Sequence, residues 1–168
     1  MARALIVGCG CRGRRLGEGL IGEGWAVRGT SRGEAGLAEI EAAGIEAARA
    51  DPDRPGSLLE LVGDVAVVVW LLGSAQGEEG QLEAIHGPRL ERTLERLVDT
   101  PVRAFVYEGS GTAPAELLEQ GEATVRAASR RWRIPVAVLD ADPADPVAWT
   151  EAALGIVLGS ASPAGEAR

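Results

Sequence analysis

Short runs of β-branched and aliphatic residues alternate with amphipathic stretches along the whole chain. "RALIVG" (Arg3–Gly8) reads as a first strand. "RRLGEGLIGEG" (Arg14–Gly24) reads as a helix with Leu16, Leu20 and Ile21 on one side and Gly24 as its stop. Trp25–Ser31 gives strand 2, Ala35–Gly44 a helix closed by Gly44, Ile45–Ala50 strand 3, and Arg54–Gly63 a short helix. "DVAVVVWLLG" (Asp64–Gly73) is apolar almost throughout, the pattern of a central parallel strand covered on both faces. Glu78–Asp99 carries a long helical pattern with Leu90, Leu94 and Leu97 in register, and Pro88 has to start or kink part of it. Val102–Gly109 reads as strand 5, Pro114–Trp132 as helix 5, Ile134–Asp142 as strand 6 and Pro146–Gly159 as a closing helix.

Six strands alternating with six helices on short connections imply an α/β fold. The expected architecture is a single doubly wound parallel sheet in the order 3-2-1-4-5-6, with helices on both faces. Neither an internal repeat nor a long linker divides the chain. Residues 1–160 are therefore expected to form one domain, and 161–168 a frayed tail.

Composition narrows the partners. The net charge of −8 disfavours a nucleic-acid ligand. The apolar run Val65–Leu72 is far too short to span a membrane. "IVGC" (Ile6–Cys9) imitates a lipoprotein cleavage box, but the apolar stretch before it is shorter than the roughly 7–15 residues of a signal core. Cys9 and Cys11 are too few and too close for a disulfide framework, and His86 is the sole histidine, so no metal site is expected. Reduced thiols point to a cytoplasmic setting.

Gly8, Gly10 and Gly13 form a G-x-G-x-x-G that follows a strand and opens a helix, the context in which this motif grips a dinucleotide. Gly8 permits the tight turn, Gly10 leaves room for a diphosphate, and Gly13 lets helix and strand pack closely. The amides of Cys11 and Arg12 are then expected to face phosphate oxygens at the helix N-terminus. An NAD site would place an acid at the end of strand 2 for the ribose 2′-hydroxyl. Here the segment reads Gly29-Thr30-Ser31-Arg32, with no acid before Glu34. A hydroxyl and a guanidinium suit a 2′-phosphate, so NADP(H) is expected over NAD(H), with Arg12 approaching the same phosphate from the glycine loop. The missing acid also argues against S-adenosylmethionine. Asp51 after strand 3 is placed to meet the adenine, and Leu71, Leu72 and Gly73 to border the ribose and diphosphate.

With "VGCGCRG", "GTSR", "ADPDRPGSL", "VAVVVWLLG" and "RAFVYEGSG" in that order, the chain resembles the short-chain dehydrogenase/reductase superfamily. The likeness is to its extended or atypical branch, which includes epimerase/dehydratase-like NAD(P)-binding Rossmann proteins. The resemblance implies a serine after strand 5, matched by Ser110, and a Tyr-x-x-x-Lys pair on the next helix. That pair is missing: the one tyrosine, Tyr107, lies inside strand 5, and the chain contains no lysine. Ser110 and His86 are what remains as candidate catalytic groups, with Glu108 and Asp140 as strand-end carboxylates on the ligand side. The resemblance further implies pairing into a homodimer through the fourth and fifth helical segments, Glu78–Asp99 and Pro114–Trp132. Three readings stay open: a non-catalytic or redox-sensing NADP(H) binder, an NADPH-dependent reductase or epimerase-like enzyme with a different proton donor, and a structural domain without nucleotide.

Overall fold

The computed structural model describes residues 1–161, so residues 162–168 of the expected tail lie outside the described residues. The strands are β1 (Arg3–Val7), β2 (Ala26–Ser31), β3 (Glu46–Arg49), β4 (Val67–Trp70), β5 (Ala104–Glu108) and β6 (Val136–Leu139). They form one parallel sheet in the order β3-β2-β1-β4-β5-β6. This is the expected doubly wound, Rossmann-type order, with the direction of winding reversing between β1 and β4.

The helices are α1 (Cys11–Gly22), α2 (Glu34–Ala42), α3 (Pro55–Leu59), α4 (Glu79–Ile85), α5 (Pro88–Arg96), α6 (Ala115–Trp132) and α7 (Pro146–Ser160). The described residues thus hold seven helices, not the expected six, because the pattern over Glu78–Asp99 is two helices. Pro88 supplies no N–H and disfavours helical backbone at Gly87, which adopts φ −138°, ψ −105° and restarts the chain as α5.

Each inner strand alternates between two apolar layers, as a period of two requires. Leu5, Val7, Val68, Trp70, Phe105 and Tyr107 face a layer built from α3, α4, α5 and α6. Ala4, Ile6, Val67, Val69, Ala104 and Val106 face α1, α2 and α7. Leu90, Leu94 and Leu97 are all buried in the first layer, so their register serves the sheet. In α1 the buried stripe is Gly13, Leu16, Gly17 and Leu20, while Ile21 is 40% exposed. Ile21 lies one residue, about 100° of helix, past Leu20, and the inner face is completed instead by two glycines that let α1 sit close to the sheet. In α6 the buried stripe is Leu118, Gly121, Val125 and Ala128.

At the edge formed by the strand N-termini, Arg28 donates to Asp64 at 2.8 Å and to Glu46 at 2.9 Å. That network ties β2, β3 and the turn before β4 together. The opposite edge, where the strands end, is organised around a crevice.

Candidate functional site

β1 must turn sharply into α1. Gly8 takes φ +80°, and a Cβ there would lie 2.6 Å from the Leu71 carbonyl oxygen. Both features exclude a larger residue. Gly13 is moderately tight, with Ile6 Cγ2 at 3.2 Å and Cys9 Sγ at 3.4 Å from an ideal Cβ. Gly10 differs from both: its φ is −83° and a Cβ would meet no atom within 4 Å. Nothing in the described chain demands a bare backbone at this position. Gly10 caps α1 without a side-chain hydrogen bond, and the first in-helix bond is donated by the Arg14 N–H to the Gly10 carbonyl. The amides of Cys11, Arg12 and Gly13 thus precede the helical ladder and open onto a crevice of about 430 Å³.

Gly8, Gly10, Cys11, Arg12, Gly13, Ser31, Arg32, Asp51, Leu71 and Leu72 all line this crevice. Gly73 does not. Its N–H donates to Glu108 Oε1 at 2.9 Å and a Cβ would lie 2.0 Å from the Ser110 carbonyl oxygen, so it packs the wall from behind.

At the end of β2, Thr30 is buried and its Oγ1 accepts from the Gly8 N–H at 3.4 Å. Ser31 reaches the crevice because Gly36 at the start of α2 lacks a Cβ, which would lie 2.1 Å from Ser31 Oγ. Arg32 is exposed, and its guanidinium has no ion-pair partner among the described residues. Glu34, the first acid after β2, is tied to Arg49 and does not line the crevice. Arg49 also donates to the Arg32 carbonyl at 2.8 Å, which fixes the backbone from which Arg32 projects. Arg14 and Glu39 both border this end and pair with each other at 3.2 Å. One oxygen of Asp51 accepts from the Asp53 N–H at 2.9 Å, an Asx turn that shapes the loop after β3.

Arg12 departs from its expected direction. Its guanidinium runs to the ends of β4 and β5, with Nη2 3.2 Å from both oxygens of Glu108 and 3.3 Å from Ser74 Oγ. The Trp149 ring lies beneath, 5.5 Å from the guanidinium carbon. Glu108 is correspondingly no solvated strand-end acid: it is fully buried. Burial raises its pKa, against the opposing pull of Arg12, the Gly73 N–H and the Trp149 indole. A buried carboxylate requires a cation, and Arg12 is the one that the glycine turn brings within reach. The sequence held only a partial signal: Glu108 is a lone acid at the end of an apolar strand, with nothing along the chain to name Arg12, in the first turn of α1, as its partner.

Asp140 stays exposed. Ser110 Oγ donates to the Ala141 carbonyl at 2.7 Å, bracing the loop after β5 against the end of β6. His86 is fully buried at the C-terminus of α4 and does not itself line the crevice. Its Nδ1 lies 2.7 Å from the Tyr107 hydroxyl. Its Nε2 is buried with no well-formed hydrogen bond among the described residues. Burial lowers the His86 pKa, with the Leu72 backbone opposing, and burial raises that of Tyr107. Tyr107 fits only because Gly121 faces it: a Cβ at Gly121 would lie 1.8 Å from the phenolic oxygen. The histidine and the tyrosine form a packed internal pair.

Cys9 is buried behind the turn, and burial pushes its thiol pKa up to about 12; Cys11 is exposed at the mouth. The described residues contain no group of three or more His, Cys, Asp or Glu able to hold a metal, and no helix long and apolar enough to cross a membrane.

No protein-family model matches the chain, and no curated protein matches it. Solved structures do. A UDP-glucuronic acid 4-epimerase from Bacillus cereus in complex with NAD is similar over 81% of this chain and 54% of its own, with TM-score 0.63 and 16% identity. A short-chain dehydrogenase/reductase superfamily protein from Agrobacterium tumefaciens with bound NAD matches over 81% of this chain and 48% of its own, at TM-score 0.64 and 20% identity. The triphenylmethane reductase of Citrobacter sp. matches over 83% of this chain and 48% of its own, at TM-score 0.61 and 18% identity. The chain spans about half the length of these proteins and shares their fold.

Proposed function

We propose that the crevice binds NADP(H), and that the chain is a short-chain dehydrogenase/reductase-type protein reporting cofactor occupancy or redox state rather than turning a substrate over. Gly10 carries the reading. A glycine that no neighbour requires, at the mouth of α1 and beside three unengaged amides, leaves room for a diphosphate. The neighbours with bound NAD have the same fold, which supports a dinucleotide in this place.

The preference for the 2′-phosphate rests on the far end of the crevice. Ser31 and Arg32 face it, the Arg32 guanidinium is unpaired among the described residues, and Glu34 is held away by Arg49. Asp51 borders the adenine position in this reading. The lack of turnover rests on the catalytic candidates. The Ser110 hydroxyl is engaged by a backbone carbonyl, His86 and Tyr107 are buried against each other, and no lysine exists to activate a tyrosine. Pairing of two chains would have to use the outer faces of α5 and α6, because the inner leucines serve the sheet.

Titration with NADPH and NADH tests the proposal. Arg32→Ala removes charge-assisted bonds worth roughly 1.5–3 kcal/mol, an expected loss of about ten- to a hundred-fold in NADPH affinity with NADH little changed. Equal NADPH binding by parent and variant removes the phosphate assignment. Steady consumption of NADPH with any member of a carbonyl panel replaces the sensor with a reductase.

A further inference from the structure

We infer that Arg12 is a diphosphate-holding residue pinned in place by Glu108; the inference rests on the dinucleotide reading of the crevice and adds a contact that the glycine motif does not contain. The geometry of the ion pair carries it. An arginine devoted to a carboxylate presents its fork, two nitrogens to two oxygens. Here Nη2 alone serves both oxygens of Glu108, at 3.2 Å each, and Ser74 Oγ as well. Nη1 makes no hydrogen bond among the described residues and is not among their buried unpartnered atoms. The side chain is 28% exposed and lines the crevice.

The pinning elements come from three directions. Glu108 ends β5 and is itself held by the Gly73 N–H at 2.9 Å; Ser74 follows β4; and the Trp149 ring of α7 lies under the guanidinium at 5.5 Å. A guanidinium fixed at one terminal nitrogen and along its face keeps one orientation, with two N–H groups of Nη1 left to donate. Arg12 lines the same crevice as the free amides of α1. An oxyanion there receives main-chain donors from one side and Nη1 from the other. In a dinucleotide that oxyanion is the diphosphate, whose second phosphoryl group continues toward β4 and β5. Glu108 touches no ligand in this arrangement; it is a positioning residue.

Two ligands separate this contact from the rest of the crevice: NADPH, and adenosine 2′,5′-bisphosphate, which keeps the 2′-phosphate and has a single 5′-phosphate. Arg12→Ala is expected to weaken NADPH by at least about tenfold while changing the bisphosphate by less than about threefold. Because Arg12→Ala strands a buried carboxylate, Arg12→Lys is measured too. It retains a cation for Glu108 without the rigid second donor pair, and is expected to lose at least about fivefold for NADPH alone. Unchanged NADPH affinity in both variants, with a parent that binds NADPH, overturns the inference and leaves the cofactor reading standing. A parent that binds neither ligand overturns both. In a Glu108→Gln background, adding Arg12→Ala is expected to cost less than about threefold, since the guanidinium is no longer pinned. A full Arg12 effect in that background overturns the positioning role of Glu108.

Discussion

The two halves of the sheet's carboxyl edge treat their polar groups differently. On the β1–β2–β3 side, donors are left unengaged, namely the first amides of α1 and the Arg32 guanidinium, and the space over Gly10 is open. On the β4–β5–β6 side, the candidate catalytic groups are each engaged by a neighbour inside the fold. Glu108 takes Arg12 and Gly73, Ser110 takes Ala141, and His86 takes Tyr107. In the proposed reading the first half keeps a ligand and the second half, where a reaction would need a free acid or base, has turned its candidates into internal structure. Buried polar groups that satisfy one another stiffen a fold, and the same engagement withdraws them from chemistry.

The comparison can be broken most forcefully at the glycines. Gly8→Val joins a β-branched residue at positive φ to a collision with the Leu71 carbonyl, and is expected to cost roughly 2–5 kcal/mol in urea unfolding. A cost below about 1 kcal/mol would mean that the turn is not what fixes the cradle. Gly10→Ala is expected to do the reverse: stability changes by less than about 1 kcal/mol, while NADPH affinity drops about tenfold or more. If affinity survives, the space over Gly10 is not where the diphosphate lies.

Acid titration of stability sharpens the other half. The folded-state pKa of His86 is lowered by burial, so below about pH 6.5 the unfolded chain takes up a proton that the folded chain resists. Stability is therefore lost as pH falls through that region, with a slope of at most about 1.4 kcal/mol per pH unit from this group. Thermal melts of the parent and His86→Gln between pH 7 and 5 should converge as the parent loses this extra stability; parallel curves would show that the imidazole does not titrate against folding. Ser110→Ala is expected to be milder, about 1 kcal/mol or less in stability with no change in NADPH affinity. A large loss of affinity there would return Ser110 to the ligand site. Smallest of all, Arg28→Met at the far edge should cost at most about 1 kcal/mol, since Asp64 and Glu46 are half exposed, and leave ligand binding untouched.

The order of elements, the glycine turn and the outer wall of the crevice were legible along the chain because they depend on local periodicity and turn chemistry. An uninterrupted apolar run can only be an inner strand, and a G-x-G-x-x-G between strand and helix places free amides at a known edge. The destinations of Arg12, Glu108 and His86 were not legible. Each is decided by a partner 21 to 96 residues away, and only the packed sheet brings those partners to hydrogen-bonding distance. The same holds for Gly121, which reads as a weak point in a helix until the Tyr107 ring is seen against it. The sequence alone determined which backbone is bare and where charge sits along the chain. The tertiary structure decided which of those charges remain free to meet a ligand, because a buried charge must find its counterpart inside the fold before it can serve anything outside it.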